Sequence, residues 1–342
     1  MTRHLSAVAS RPRFRRPLAG FTLIELMVAM LLGLIVIAGV SSVFLANQRA
    51  HRTNQALGDV QDNTRIAFEM MARDIRDAGL TGCGNSGRVA NVLNNGPAAG
   101  GSAWWANWNN VLVGYAGSQP DPAVTTGTAA GNRVDGTDSL LLLGGEGVGA
   151  SVNTNAEPAA TFVLNEAGSD LKTGDVIVVC DPDHAALVQL TGFSGGTLSH
   201  VGATGSPGNC TTDLNYPTVC SSSASYVFAT NAQITRLRAA DWYVGYNPVL
   251  GKSLYRISLV NTAGVPTPTA EEMVRGVTAM SIRYHQAGTA GFMAAGSVGN
   301  WTLVDAVQVH LWLESADQHA GTDAKPLQRD FVATTTVRNR VN

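Results

Sequence analysis

Glu25 places a carboxylate where one is costly, near the start of an apolar run that begins at Phe21 and continues to about Ala46. An ionised group in hydrocarbon costs roughly 2.5–3.5 kcal/mol even on lenient insertion scales, so it calls for a cationic partner and marks a functional position. Gly20 stands just before the run, where the missing side chain leaves the backbone open to close approach. The other reactive side chains do not form a site that sequence alone can define. His184, His200, His285, His310 and His319 are dispersed, without an HExxH or a Gly-x-Ser-x-Gly pattern. Asp181-Pro182-Asp183-His184 has the ingredients of a metal or catalytic cluster but reads as a polar turn after a strand ending at Cys180. Asp135 and Asp138 lack the remaining ligands and the closing Glu of a calcium loop. No nucleotide-binding glycine motif precedes a helix. The expectation is a non-enzymatic protein with no cofactor and no metal.

Four cysteines, Cys83, Cys180, Cys210 and Cys220, allow three complete pairings. None forms a Cys-x-x-Cys, and no His lies at zinc-ligand spacing from them, so disulfides in an exported chain are expected. Cys210 and Cys220 flank a polar loop and would close it, which leaves Cys83 for Cys180. Trp104, Trp105 and Trp108 cluster in a stretch rich in Gly, Asn and Ala. They read either as pins holding a long loop to the domain or as a ligand or partner patch.

These residues need elements to position them. The apolar run, 21–46, is long enough to cross a bilayer as a tilted helix. Arg3, Arg11, Arg13, Arg15 and Arg16 precede it with no acid among residues 1–20, so positive-inside bias keeps the leader in the cytoplasm. An ordinary signal peptide has a shorter apolar core, with its small residues after it. Beyond Ala46 the pattern turns amphipathic: Leu57, Val60, Ala67, Met71 and Ile75 share a face, and Glu69 with Arg73 makes a helical i,i+4 pair. One helix is expected to end at Gly79, with 47–79 as its amphipathic continuation. Gly33 and Gly39 permit either bending or close helix packing. Residues 80–342 read as a loop-rich β ectodomain. Its strand-like runs are 139–143, 161–164, 176–180, 186–190, 226–229, 233–238, 242–246, 253–259, about 277–284, 304–313 and a final run from Arg329. The fold class expected is α+β.

Only 14% of the residues are charged, and Gly is abundant at 37. The formal charge is −2; without the five arginines of residues 1–20, 18 basic and 25 acidic residues remain, a net of −7. That balance gives no support to nucleic-acid binding.

The basic leader followed by Gly20-Phe21-Thr22-Leu23-Ile24-Glu25 resembles the type IV prepilin signature. The Val277 strand, the alternating strand over Val307, Val309, Leu311 and Leu313, and the closing Phe331-x-x-Thr334-Thr335-x-Val337 run resemble the PilW-type minor pilins. The J-type pseudopilins of type II secretion are close relatives of these. The middle, roughly 85–270, matches no motif. The resemblance implies a long N-terminal helix packed on an antiparallel sheet. It also implies cleavage by a prepilin peptidase between Gly20 and Phe21, N-methylation of Phe21, and an assembly role for Glu25 opposite the new amine of its own or a neighbouring subunit. The expected partners are other minor pilins, the major pilin and the inner-membrane assembly platform. The expected location is the inner membrane before assembly and the pilus at the cell surface after it. Competing readings are a secretion pseudopilin and a tip adhesin that uses the Trp104–Trp108 region.

Overall fold

Helix α1 spans Leu23–Arg76, a 54-residue stretch without proline. The computed structural model describes residues 20–83, 87–166, 169–221, 225–249, 251–321, 323, 325–338 and 340, so the basic leader lies outside the described residues apart from Gly20. Contacts divide the chain into two units, one ending at Asn54 and one covering Gln55–Asn342. In the first, every described residue from Gly20 to Arg52 is exposed. In the second, α1 turns one face inward through Ala56, Val60, Thr64, Ala67, Met71, Asp74 and Ile75. The turn-by-turn spacing follows the 3.6-residue period, with Ala56 rather than Leu57 on the buried face. Glu69 pairs with Arg65, at 2.8 Å, rather than forming the expected pair with Arg73; both side chains are solvent-exposed.

The rest of the chain is largely β-structure. Its first strands are β1 (Val89–Asn91), β2 (Leu112–Tyr115), β3 (Ser139–Ala156), β4 (Thr161–Leu164), β5 (Val176–Cys180) and β6 (Ala185–Gln189). Then come β7 (Gly192–Ser194), β8 (Thr197–Ser199), β9 (Gln233–Tyr246), β10 (Lys252–Thr262) and β11 (Val265–Arg275). The last are β12 (Val277–Gln286), β13 (Phe292–Ala294), β14 (Val304–Glu314) and β15 (Gln328–Thr336). An 11-stranded sheet has the order β1-β6-β5-β9-β3-β4-β8-β7, with β10 and β11 added beside β9 and β2 beside β3. A 4-stranded sheet has the order β13-β12-β14-β15. Pairing is antiparallel apart from β1 with β6. The fold is α+β.

Two long strands, β3 and β9, form the spine, paired from Ser139↔Tyr243 to Ser151↔Gln233. Alternation sets their faces. Leu140, Leu142, Trp242 and Val244 join Met71 and Ile75 of α1 and Val307, Val309 and Leu311 of β14 in one core. Leu141 and Leu143 point the other way, into a second core with Trp105, Trp108, Val178 and Leu187. Where α1 ends, Gly79 donates to the Leu143 carbonyl at 2.7 Å and Leu80 accepts from Gly145 at 2.8 Å. Gly144 is required at this crossing, since a Cβ there would lie 2.5 Å from the Asp77 carbonyl oxygen.

The runs expected at 233–238 and 242–246 are a single strand, because Ala239-Ala240-Asp241 continues the ladder instead of breaking it. The run at 139–143 likewise extends to Ala156. The run expected at 226–229 is not a strand. Tyr226 instead stacks on His184, with ring centroids 4.1 Å apart, and the Phe228 N–H donates to Asn155 Oδ1 at 2.7 Å.

Polar groups are buried on both faces of the large sheet. Asp74, 4% exposed, accepts from Arg238 at 2.5 Å and from the Trp242 indole at 2.9 Å, and so ties α1 to β9. On the opposite face Arg133, fully buried, spends its guanidinium on the Ala116, Gln119 and Thr137 carbonyls. Beside it Ser139 donates to Asp121. Neither oxygen of the buried Asp241 meets an N–H or O–H among the described residues. Burial, and then the neighbouring Asp121 carboxylate, push Asp241 well above the carboxylate range, so it is held as the neutral acid.

Candidate processing and assembly segment

Glycine, phenylalanine and threonine lead into α1, and the helix begins with a reciprocal cap. Thr22 occupies the N-cap: its carbonyl accepts the first intrahelical bond, from the Leu26 N–H at 3.1 Å. Its hydroxyl accepts from the Glu25 N–H at 3.3 Å, while Glu25 Oε2 reaches back to the Thr22 N–H at 3.4 Å and the Thr22 hydroxyl at 3.3 Å. This is a capping box, Ser/Thr-x-x-Glu/Gln, which satisfies two of the amide donors left over at a helix start. The helix dipole also favours a carboxylate in the first turn. Glu25 is therefore a local structural element as well as a charge in an apolar run. The Thr22-to-Glu25 spacing is the sequence signal of this cap. Glu25 Oε1 has no partner among the described residues, which leaves it available to a cation.

The surroundings are open. A Cβ at Gly20 would find nothing within 4 Å, and Phe21 is 87% exposed. From Leu23 to Leu45 the leucines, isoleucines and valines of α1 face outward with no part of the described chain covering them. Among the described residues, α1 is the one helix long and apolar enough to cross a membrane. Gly39 leaves a shallow notch on this surface beside Val36, Val40, Val43 and Phe44. Its carbonyl accepts from the Ser42 hydroxyl at 2.7 Å. An exposed helix with this composition can insert in lipid or pack on similar helices.

The other candidate residues lie in the ectodomain. Cys83 is bonded to Cys180 and Cys210 to Cys220. Asp181 and His184 form a polar turn: Asp181 Oδ1 accepts from the Asp183 and His184 N–H groups, and Tyr226 donates to Oδ2 at 2.7 Å. His184 Nε2 lies 2.6 Å from the Leu214 carbonyl, and burial lowers its pKa despite that bond. Asp138 accepts from the Gly117 and Ile282 N–H groups, which join its turn to β12. No group of three or more His, Cys, Asp or Glu among the described residues is placed to hold a metal ion. The three tryptophans separate. Trp105 and Trp108 are buried behind the large sheet, while Trp104 is partly exposed at a cavity that also reaches Trp301. Nothing in the sequence pattern links Trp301 to Trp104.

Residues 15–41 match the family model of the prokaryotic N-terminal methylation motif. No curated protein and no solved structure matches the chain. The matched stretch covers Gly20, Phe21, the Thr22–Glu25 box and much of the exposed apolar helix. It supports a type IV pilin-type protein that takes part in pilus or pseudopilus assembly, and with the apolar helix it fits membrane anchoring before assembly.

Proposed function

We propose that this protein is a minor pilin of the PilW type, made as a single-span inner-membrane precursor and incorporated into a type IV pilus at or near its tip. The observation that carries the reading is the methylation motif over residues 15–41 at the head of a helix whose apolar side chains are uncovered. The leader stays in the cytoplasm, a prepilin peptidase cuts between Gly20 and Phe21, and the new amine is methylated. Glu25 then has two tasks. It caps the helix through Thr22, and it presents a carboxylate to the cationic terminus of Phe21 in its own or a neighbouring subunit. Pairing offsets part of the desolvation cost of both charges, so the gain lies in docking and register more than in raw stability. The ectodomain, 80–342, supplies lateral contacts to other minor pilins and the major pilin. Its size suits the end of a filament better than a repeating lattice position.

The test is the mass of the mature N-terminal peptide from cells with and without the prepilin peptidase. A peptide beginning at N-methylated Phe21, seen only when the peptidase is present, is expected. An uncut chain, or one cut beyond Ala46, would overturn the reading.

A further inference from the structure

We infer that the cavity between Trp104 and Trp301 is a binding site for a single neutral pyranose ring. It has a volume of about 260 Å³ and lies on the face of the large sheet that carries the loop after β1. That is below the roughly 300–1,000 Å³ of sites for drug-sized ligands, so it suits one ring. Its walls combine two kinds of surface. Trp104, Trp301 and Tyr115 supply aromatic faces; Ser102, Asn107 and Asn110 supply hydroxyl and carboxamide groups. The remaining lining side chains are apolar or glycine, and none is charged. A sugar ring has the matching pattern, with an apolar C–H face for an indole and a rim of hydroxyls for amides. A neutral lining gives no counter-charge to a phosphate or carboxylate ligand.

Two further observations point to a ligand. The polar groups are unspent: the side chains of Ser102, Asn110 and Tyr115 make no hydrogen bond among the described residues. The Asn107 carboxamide lies on the same wall. The aromatic walls are also held in place. Trp301 meets Tyr284 edge-to-face with ring centroids 4.9 Å apart, and Trp104 packs against the stacked Tyr243 and Tyr255 rings. Rigid walls lower the entropy lost on binding. Burial raises the Tyr115 phenol to about 12, so it remains a hydrogen-bond donor at any physiological pH. The site is independent of the pilin reading, which stands or falls on the N-terminal peptide.

The experiment uses the full chain in detergent micelles. It is titrated with glucose, galactose, mannose, N-acetylglucosamine and their methyl glycosides, with binding read by saturation-transfer NMR. At least one ring should bind with Kd on the order of 1 mM, the range open to about a dozen non-hydrogen atoms. Glucuronate should bind about tenfold more weakly than glucose, because its carboxylate meets no cation. Methyl glycosides that bind as well as the free sugars mark a ring carried at the end of a glycan; binding of free sugars alone marks a free ligand. Trp104→Ala and Asn110→Ala should each weaken binding about tenfold, whereas Trp312→Phe on the small sheet should leave it unchanged. Asn110 is exposed, so its variant tests the site without disturbing a core. Failure of every neutral ring to bind, or binding that survives loss of both Trp104 and Asn110, would overturn the inference.

Discussion

Glu25 carries two separable properties, a hydrogen-bonding geometry and a charge. Glutamine keeps the first, since its amide oxygen can still accept from Thr22, and valine keeps neither. If the charge meets an amine during assembly, Glu25→Gln and Glu25→Val should both reach the membrane. Both should also be depleted from sheared pili by about tenfold or more, the equivalent of roughly 1.4 kcal/mol. Immunoblots of the sheared and membrane fractions decide the point; a Gln variant that assembles like the parent would leave the cap as the residue's role. Asp241 poses the opposite problem, a carboxyl kept neutral. Its folded pKa lies above the ordinary value, so its contribution to stability is fully present below about pH 4 and is lost as pH rises through the folded value. Asp241→Asn can donate to Asp121 as the neutral acid does. It should therefore remove the loss of stability that sets in as pH rises above about 4. Chemical denaturation across a pH series checks this, and parallel curves for parent and variant would refute it.

As an element, α1 is one helix with two stretches of different character. Its later half lies against β3, β9 and β14, and its earlier half is uncovered. Met71→Ala, at a position 1% exposed, should destabilise the ectodomain by about 2–5 kcal/mol through lost burial and a residual cavity. Leu34→Ala, at a position 70% exposed, should leave denaturation unchanged and act on incorporation into the filament. Equal effects of the two on the denaturation midpoint would contradict this division. The helix was legible in the sequence because apolar residues at helical spacing and a terminal glycine point the same way. Strands β4, β5 and β14 were legible for the same reason, through β-branched runs or alternation. The long β9 was harder to read, because the aspartate in mid-strand looks like a break until the loop carrying Asp121 and Arg133 is seen to cover it. Asp74, a charged residue buried against Arg238 and Trp242, has no local pattern that announces its partners.

At the scale of the whole molecule, local pattern gives way to pairings between distant stretches. The processing segment is contiguous, and its residues could be named from a short motif. The cavity at Trp104 joins two stretches nearly 200 residues apart, Trp104 and Trp301, and no periodicity announces such a meeting. The bridge from Cys83 to Cys180 has a sequence separation of 97 and spans part of the same long-range architecture. Cys83 follows closely on the end of α1, and Cys180 closes β5, which lies between β6 and β9. Considered mechanically, the end of α1 is spliced into the sheet by a covalent bond. A pull transmitted along the helix reaches β5 through sulfur and then loads the flanking ladders. Their hydrogen bonds lie across the strands, so tension along β5 stresses them together in shear instead of opening them one by one. The disulfide is therefore a covalent link from the end of α1 to the middle of the sheet as well as an entropic constraint on the unfolded chain.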